Sequence, residues 1–315
     1  MKAASIKIVI AGASDFSVPT IKRLNDLDYQ IAAVLTQPDR AAGRGLKQTK
    51  NPVKLFAEKA GLTLLDFESL DGENVFETIK KLSPDLLITI AYGGLIPQKI
   101  LDIPRCESIN IHPSLLPLWR GASPIQSAIL NGDTKTGISL IRMTPELDAG
   151  PIFAVTETSI DPEENTLTLS NRLANMSAIL MTDNIEDIVN KNTFPNEQEH
   201  QKATYASKLT KQDAIINWTR PASEILKKIK AFNPWPVAHS ILEQKNFRIW
   251  DAKLSKQIND ISKPGSIIKT QSNEILVTAG DGMISLISVQ LEGRKKMPAL
   301  DFCKGFACEG KTLGQ

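Results

Sequence analysis

Asn110 and His112 stand two residues apart at the end of the run Ser108-Ile109-Asn110-Ile111-His112, a spacing that suits carbonyl chemistry. Side chains alternate along a strand, so both face one side. An amide can hold a carbonyl oxygen, and an imidazole can act as acid, base or oxyanion stabiliser. The proline-broken stretch Pro113-Ser114-Leu115-Leu116-Pro117 follows and delivers Arg120. Downstream, Leu147-Asp148-Ala149-Gly150 offers a carboxylate. Beside His112 it would raise the basicity of the imidazole, and each group would hold the other. Taken singly, each residue has a plainer reading: a core histidine bonded to backbone, a solvated aspartate before Gly-Pro. Together, Asn110, His112 and Asp148 at strand ends point to acyl-group chemistry.

The elements that must carry them are readable. Strand-like apolar runs cover residues 6–12, 31–36, 85–91, 108–112, 137–143 and 152–158, with helical patterns at 18–27 and 52–60. Strands alternating with helices predict an α/β fold with a doubly wound, mostly parallel sheet, whose ligands bind at the strands' carboxyl ends. The first strand ends Ala11-Gly12-Ala13-Ser14, without the further glycines of a dinucleotide fingerprint, so Gly12 reads as a tight turn. A long amphipathic helix runs from residue 167 to about 190. The polar, proline-containing stretch 191–208 then reads as a linker between a catalytic domain, 1–190, and a second domain, 209–315. In the latter, short strands at 247–252, 265–270, 274–278 and 284–290, punctuated by glycine and preceded by a helix at 222–231, suggest a small β-barrel.

Composition narrows the class. With 315 residues, 42% hydrophobic and 23% charged, the chain reads as a two-domain globular protein. No apolar run approaches the roughly 20 residues of a membrane helix, and the start leads directly into a strand, so a cytoplasmic location without membrane association is expected. Cys106, Cys303 and Cys308 form no metal-spaced set and are expected as reduced thiols. The net charge of +2 is uneven: residues 209–315 hold 16 Lys and Arg against 10 Asp and Glu. The insert at 38–51 carries Arg40, Arg44, Lys47 and Lys50 among glycines. Both features suit a phosphate backbone, and both are also compatible with ordinary solvation. The segment Ala91-Tyr92-Gly93-Gly94-Leu95-Ile96-Pro97 is either a plain loop or the wall of a flat apolar pocket.

These stretches, in this order, resemble the methionyl-tRNA formyltransferase family of folate-dependent formyltransferases. The resemblance rests on Thr36-Gln37-Pro38-Asp39-Arg40 with Gly43-Arg44-Gly45, on Ala91-Tyr92-Gly93, on Asn110-Ile111-His112 through Gly121, on Leu147-Asp148-x-Gly150 and on Phe232-Asn233-Pro234-Trp235-Pro236. It implies transfer of a formyl group from 10-formyltetrahydrofolate to the amino group of methionyl initiator tRNA, for translation initiation, without a metal. It further implies Asn110, His112 and Asp148 as the catalytic trio. The folate would contact Ala91, Tyr92, Gly93, Ile96, Pro97, Ser114, Leu115, Leu116, Pro117 and Asp148. Arg40, Arg44, Lys47 and Lys50 would contact tRNA, together with an oligonucleotide-binding (OB)-like C-terminal domain, and the protein would act as a monomer. Relatives that formylate a nucleotide sugar or a purine ribonucleotide, or that release formate, share the donor site. A pure RNA-binding module is the alternative from another class.

Overall fold

The structure is a computed structural model that describes residues 5–42, 47–256 and 263–314. The chain divides into two units. The first takes residues up to Pro124 with Lys135–Ser159 and Ser170–Ala206; the second takes Ile125–Thr134, Ile160–Leu169 and the chain from Ser207 onward.

The elements begin with β1 (Lys7–Gly12), α1 (Val18–Asp26), β2 (Gln30–Leu35), β3 (Arg40–Ala42), β4 (Lys47–Thr49), α2 (Pro52–Lys59) and β5 (Leu64–Leu65). There follow α3 (Glu73–Leu82), β6 (Leu86–Ile90), α4 (Gln98–Leu101), β7 (Glu107–His112), β8 (Arg120–Gly121) and α5 (Pro124–Asn131). Next come β9 (Lys135–Arg142), β10 (Ile152–Ser159), α6 (Thr166–Val189) and β11 (Tyr205–Ala206).

The first unit is built on a seven-stranded sheet in the order β10-β9-β7-β6-β1-β2-β5. Strands β5, β2, β1, β6 and β7 are parallel. Their apolar runs are buried almost throughout, as both-face burial requires: all five residues of β6 are buried. The sheet is therefore mostly parallel, as the alternating pattern predicts. The exceptions are β9, antiparallel to β7, and β10, antiparallel to β9. Only residues 143–151 join β9 to β10, too few for the helical crossover that a parallel pair needs.

Gly12 ends β1 where the chain passes close to helical residues. A Cβ there would lie 2.8 Å from the Ser17 side chain, whose hydroxyl donates to the Ile90 carbonyl at 2.6 Å. Helix α2 starts on Asn51, whose side chain accepts from Lys54 N at 3.0 Å, with Pro52 in its first turn. Register sets the site: Thr89 of β6 is opposite Asn110 of β7, so the chain segments that follow these two strands leave the sheet side by side.

The second unit contains α7 (Ala222–Ala231), β12 (His239–Leu242), β13 (Lys245–Leu254), β14 (Ile267–Lys269), β15 (Ile275–Thr278), β16 (Met283–Leu291), β17 (Met297–Pro298) and α8 (Ala299–Gly305). Its antiparallel sheet has the order β12-β13-β16-β15-β14, with β17 beside β16, and curls into an OB-like half-barrel. Trp218, Ile225, Phe247, Ile249, Val277 and Phe302 meet in its core. The Trp218 indole donates to Ser240 Oγ at 3.1 Å, which satisfies the one polar group of that buried ring.

The cysteine expectation requires correction. Cys303 and Cys308 form a disulfide with Cα atoms 5.6 Å apart, because the chain turns back after α8; Cys106 is free. Their separation of five residues carries no metal or framework pattern, so spacing alone did not reveal the pair. Among the described residues, no helix is long and apolar enough to cross a membrane.

Candidate active site

The period-two geometry of β7 puts Asn110 and His112 on one face, and the turn between β9 and β10 brings Asp148 to them. Asn110 Nδ2 donates to Asp148 Oδ1 at 3.0 Å. Asp148 Oδ2 accepts the Gly121 backbone N–H at 2.8 Å and lies 3.5 Å from His112 Nδ1. His112 Nε2 sits 2.9 Å from the Trp119 carbonyl oxygen, so that nitrogen is assigned the proton and donates it. The neutral ring then turns its unprotonated Nδ1 toward Asp148.

The turn that presents Asp148 has little freedom. Asp148 has φ +50°, a left-handed conformation that a non-glycine residue holds only under outside restraint. A Cβ on Gly150 would come within 1.9 Å of the Arg142 carbonyl oxygen, so no other residue fits without moving β9.

Burial changes the electrostatics foreseen from the sequence. Desolvation pushes His112 below the ordinary imidazole range. Asp148 and the Trp119 carbonyl push it upward, as anticipated, but burial outweighs both. The imidazole is only 4% exposed, a fact that residue types alone do not disclose. At neutral pH the ring is a neutral base beside a carboxylate.

The remaining sequence-derived candidates divide. Tyr92 and Ile96 lie in the apolar core with Val9, Ala11, Leu35 and Leu87, and burial pushes the Tyr92 phenol up. Ala91 and Gly93 are exposed, with φ of +45° and +75°, and Pro97 precedes α4. Side-chain burial thus fixes the segment while its backbone at 91 and 93 faces outward. Ser114, Leu115, Leu116 and Pro117 form a loop pinned to β9: Ser139 Oγ donates to the Ser114 carbonyl at 2.8 Å and accepts from Leu116 N at 3.2 Å. Arg40 and Lys47 belong to the short antiparallel pair of β3 and β4, an element that the loop-like sequence did not foretell. Arg44 lies outside the described residues. Lys50 is exposed and paired with Glu58 at 2.7 Å, an interaction of little energetic weight there.

The sequence pointed to Arg120 at the end of the proline-broken loop without showing its role, and it did not point to Gln198 at all. Arg120 is buried, and its guanidinium donates to Gln198 Oε1 at 2.7 and 3.2 Å and to His200 Nδ1 at 3.1 Å. Gln198, from the stretch read as a linker, donates in turn to the Asp148 and Gly150 carbonyls at 2.8 and 2.7 Å. Polar composition there signalled solvent exposure, and nothing local marks one glutamine as buried.

Comparison with known proteins gives the same picture from another direction. Residues 5–185 match the family described as formyl transferase, and residues 208–307 match its C-terminal domain. A methionyl-tRNA formyltransferase of Methylococcus capsulatus is 40% identical over 309 residues, covering 98% of this chain and 100% of the relative. One from Bacillus licheniformis is 37% identical, covering 98% of each chain. The solved methionyl-tRNA formyltransferase of Clostridium thermocellum shares the fold, with a TM-score of 0.56 and 18% identity over 79% of this chain and 94% of that one. HypX of Aquifex aeolicus, solved in complex with tetrahydrofolic acid, gives a TM-score of 0.67 and 16% identity over 96% of this chain and 47% of that one. With an Asn–His–Asp cluster built around the buried His112 and matches along both units, the chain belongs to the formyl transferase family.

Proposed function

We propose that this chain moves a formyl group from 10-formyltetrahydrofolate to the α-amine of methionyl initiator tRNA, with Asn110, His112 and Asp148 touching the reacting atoms. The observation that carries the reading is the convergence of Asn110 and His112 on one carboxylate.

The amine nitrogen attacks the formyl carbon; a C–N bond forms, and the carbonyl π pair moves onto oxygen. Asn110 gives one amide N–H to Asp148, which leaves its second N–H for that oxyanion. The ammonium proton passes by way of Asp148 to His112 Nδ1, which a depressed pKa keeps ready to receive it. The resulting imidazolium stands against Asp148 and adds positive charge near the oxyanion. Collapse of the intermediate breaks the bond from carbon to the folate nitrogen, and His112 returns the proton to that leaving nitrogen. No covalent enzyme intermediate is needed. Holding amine and formyl carbon in contact removes an entropic cost of several kcal/mol, up to about 10.

The folate lies along the exposed backbone at Ala91 and Gly93 and against the 114–117 loop, both at the carboxyl edge beside Asn110. The acceptor end of the tRNA meets Arg40, Arg44, Lys47 and Lys50, and the C-terminal domain, 209–315, holds the phosphate backbone with its surplus cations. The enzyme works in the cytoplasm, where charged tRNA and reduced folate occur.

Replacing Arg44 with Ala tests the acceptor half. Binding of initiator tRNA should weaken, and the slope of log affinity against log salt should fall by about 1. Equal affinity across the salt series would remove this loop from the tRNA interface. The donor half requires formyl transfer onto the charged tRNA and none onto uncharged tRNA.

A further inference from the structure

We infer that Gln198 is a positioning residue for formyl transfer, and that residues 196–206 form a strap that sets the geometry of the catalytic trio. The inference rests on the reading of Asp148 as a group that handles the amine proton.

The strap grips the site at two places. At the first, Gln198 is 5% exposed and its amide is fully used. Both N–H groups donate to the carbonyls of Asp148 and Gly150, while Oε1 accepts from Arg120. One side chain thus ties the backbone of the Asp148 turn to Arg120. Arg120 immediately precedes Gly121, whose N–H holds the Asp148 carboxylate. The left-handed φ of Asp148 needs such an outside restraint. Next to Gln198, Asn196 exchanges backbone hydrogen bonds with Ile152 at 2.7 and 2.9 Å, which fixes the far side of the same turn.

At the second place, Thr204 Oγ1 accepts the Trp119 N–H at 2.9 Å, and its carbonyl accepts the Arg120 N–H at 2.9 Å. β11 pairs with β8 in parallel, and a Cβ on Gly121 would lie 2.6 Å from the Ala206 carbonyl oxygen. These contacts fix the loop whose Trp119 carbonyl accepts the His112 Nε2–H. One continuous segment therefore sets both the carboxylate and the partner that decides the tautomer of the imidazole.

Displacement of a catalytic group by about 1 Å costs roughly 100-fold in rate. Gln198→Glu keeps length and an acceptor for Arg120 but, when ionised, donates to neither carbonyl. Gln198→Leu removes every polar contact at similar bulk. In the full-length protein, with steady-state formylation of initiator tRNA as readout, both should lose about 100-fold in kcat with KM for donor and tRNA unchanged, because only transition-state geometry is altered. Asp148→Asn is assayed beside them.

Inactive Asp148→Asn with wild-type kcat in the Gln198 variants, or with their loss confined to KM, overturns the strap and leaves the catalytic reading intact. Near-wild-type Asp148→Asn overturns that reading, and the strap with it. If neither Gln198 variant folds, Thr204→Val decides. It removes only the hydroxyl on Trp119 N–H, and a kcat equal to wild type would refute the strap.

Discussion

Asp148→Asn should reduce kcat by about 10³-fold. The carboxylate has acceptors on both sides: Oδ1 takes the Asn110 N–H and Oδ2 takes the Gly121 N–H. A carboxamide can accept on one side only. Its NH₂ either faces the Gly121 N–H, donor against donor, or faces Asn110, whose amide must then turn its Oδ1 inward and give up the N–H meant for the oxyanion. The variant also predicts a pH shift. The reaction needs unprotonated His112, and Asp148 favours the imidazolium. Without the carboxylate, the pKa of His112 falls further, so the acid limb of the residual activity moves to lower pH. Activity within tenfold of wild type, or an acid limb displaced upward, would contradict the assignment of Asp148.

His112→Ala has a comparable effect by another route. Transfer should fall by about 10³- to 10⁴-fold, while affinity for initiator tRNA stays nearly unchanged, since a buried imidazole cannot touch phosphate. Truncation removes the hydrogen bond from His112 to the Trp119 carbonyl, which costs about 0.5–1.5 kcal/mol of stability. His112→Gln separates the two consequences: its amide can donate to Trp119 but cannot take up the amine proton. His112→Gln should melt near wild type and remain inactive. Equal losses of transfer and tRNA affinity in both variants would make His112 structural.

What could be read from the sequence follows physical range. Asn110 and His112 were legible because strand alternation is local: two residues of spacing determine one face. The apolar runs of β1, β2, β6 and β7 were legible for the same reason, since burial on both faces leaves no polar alternation to misread. Asp148, 38 residues from Asn110, was readable only as a carboxylate that could meet the pair, and the resemblance gave it its catalytic role. Gln198 was not legible. Its place is fixed by bonds to residues 48 to 78 positions away, and its polar neighbours suggest solvent. The depressed basicity of His112 was also hidden, because the sign depends on how much of the ring the fold buries, and local types report only the charges. Cys303 and Cys308 became a pair only because α8 ends and the chain turns back. The short strands β3 and β4 escaped because glycine-rich, charged sequence reads as loop whether or not it pairs.

If the Asn110–His112–Asp148 cluster transfers formyl to an amine on tRNA, the formyl carbon must end on the charged acceptor. The most direct measurement follows a label on the formyl carbon of 10-formyltetrahydrofolate, using the purified full-length protein with methionyl initiator tRNA, uncharged tRNA or no acceptor. Label should appear on the charged initiator tRNA alone. Labelled formate released at the same rate without acceptor would make the chain a hydrolase, and tRNA binding without turnover would make it a binding module; either result would rule out transfer by this cluster.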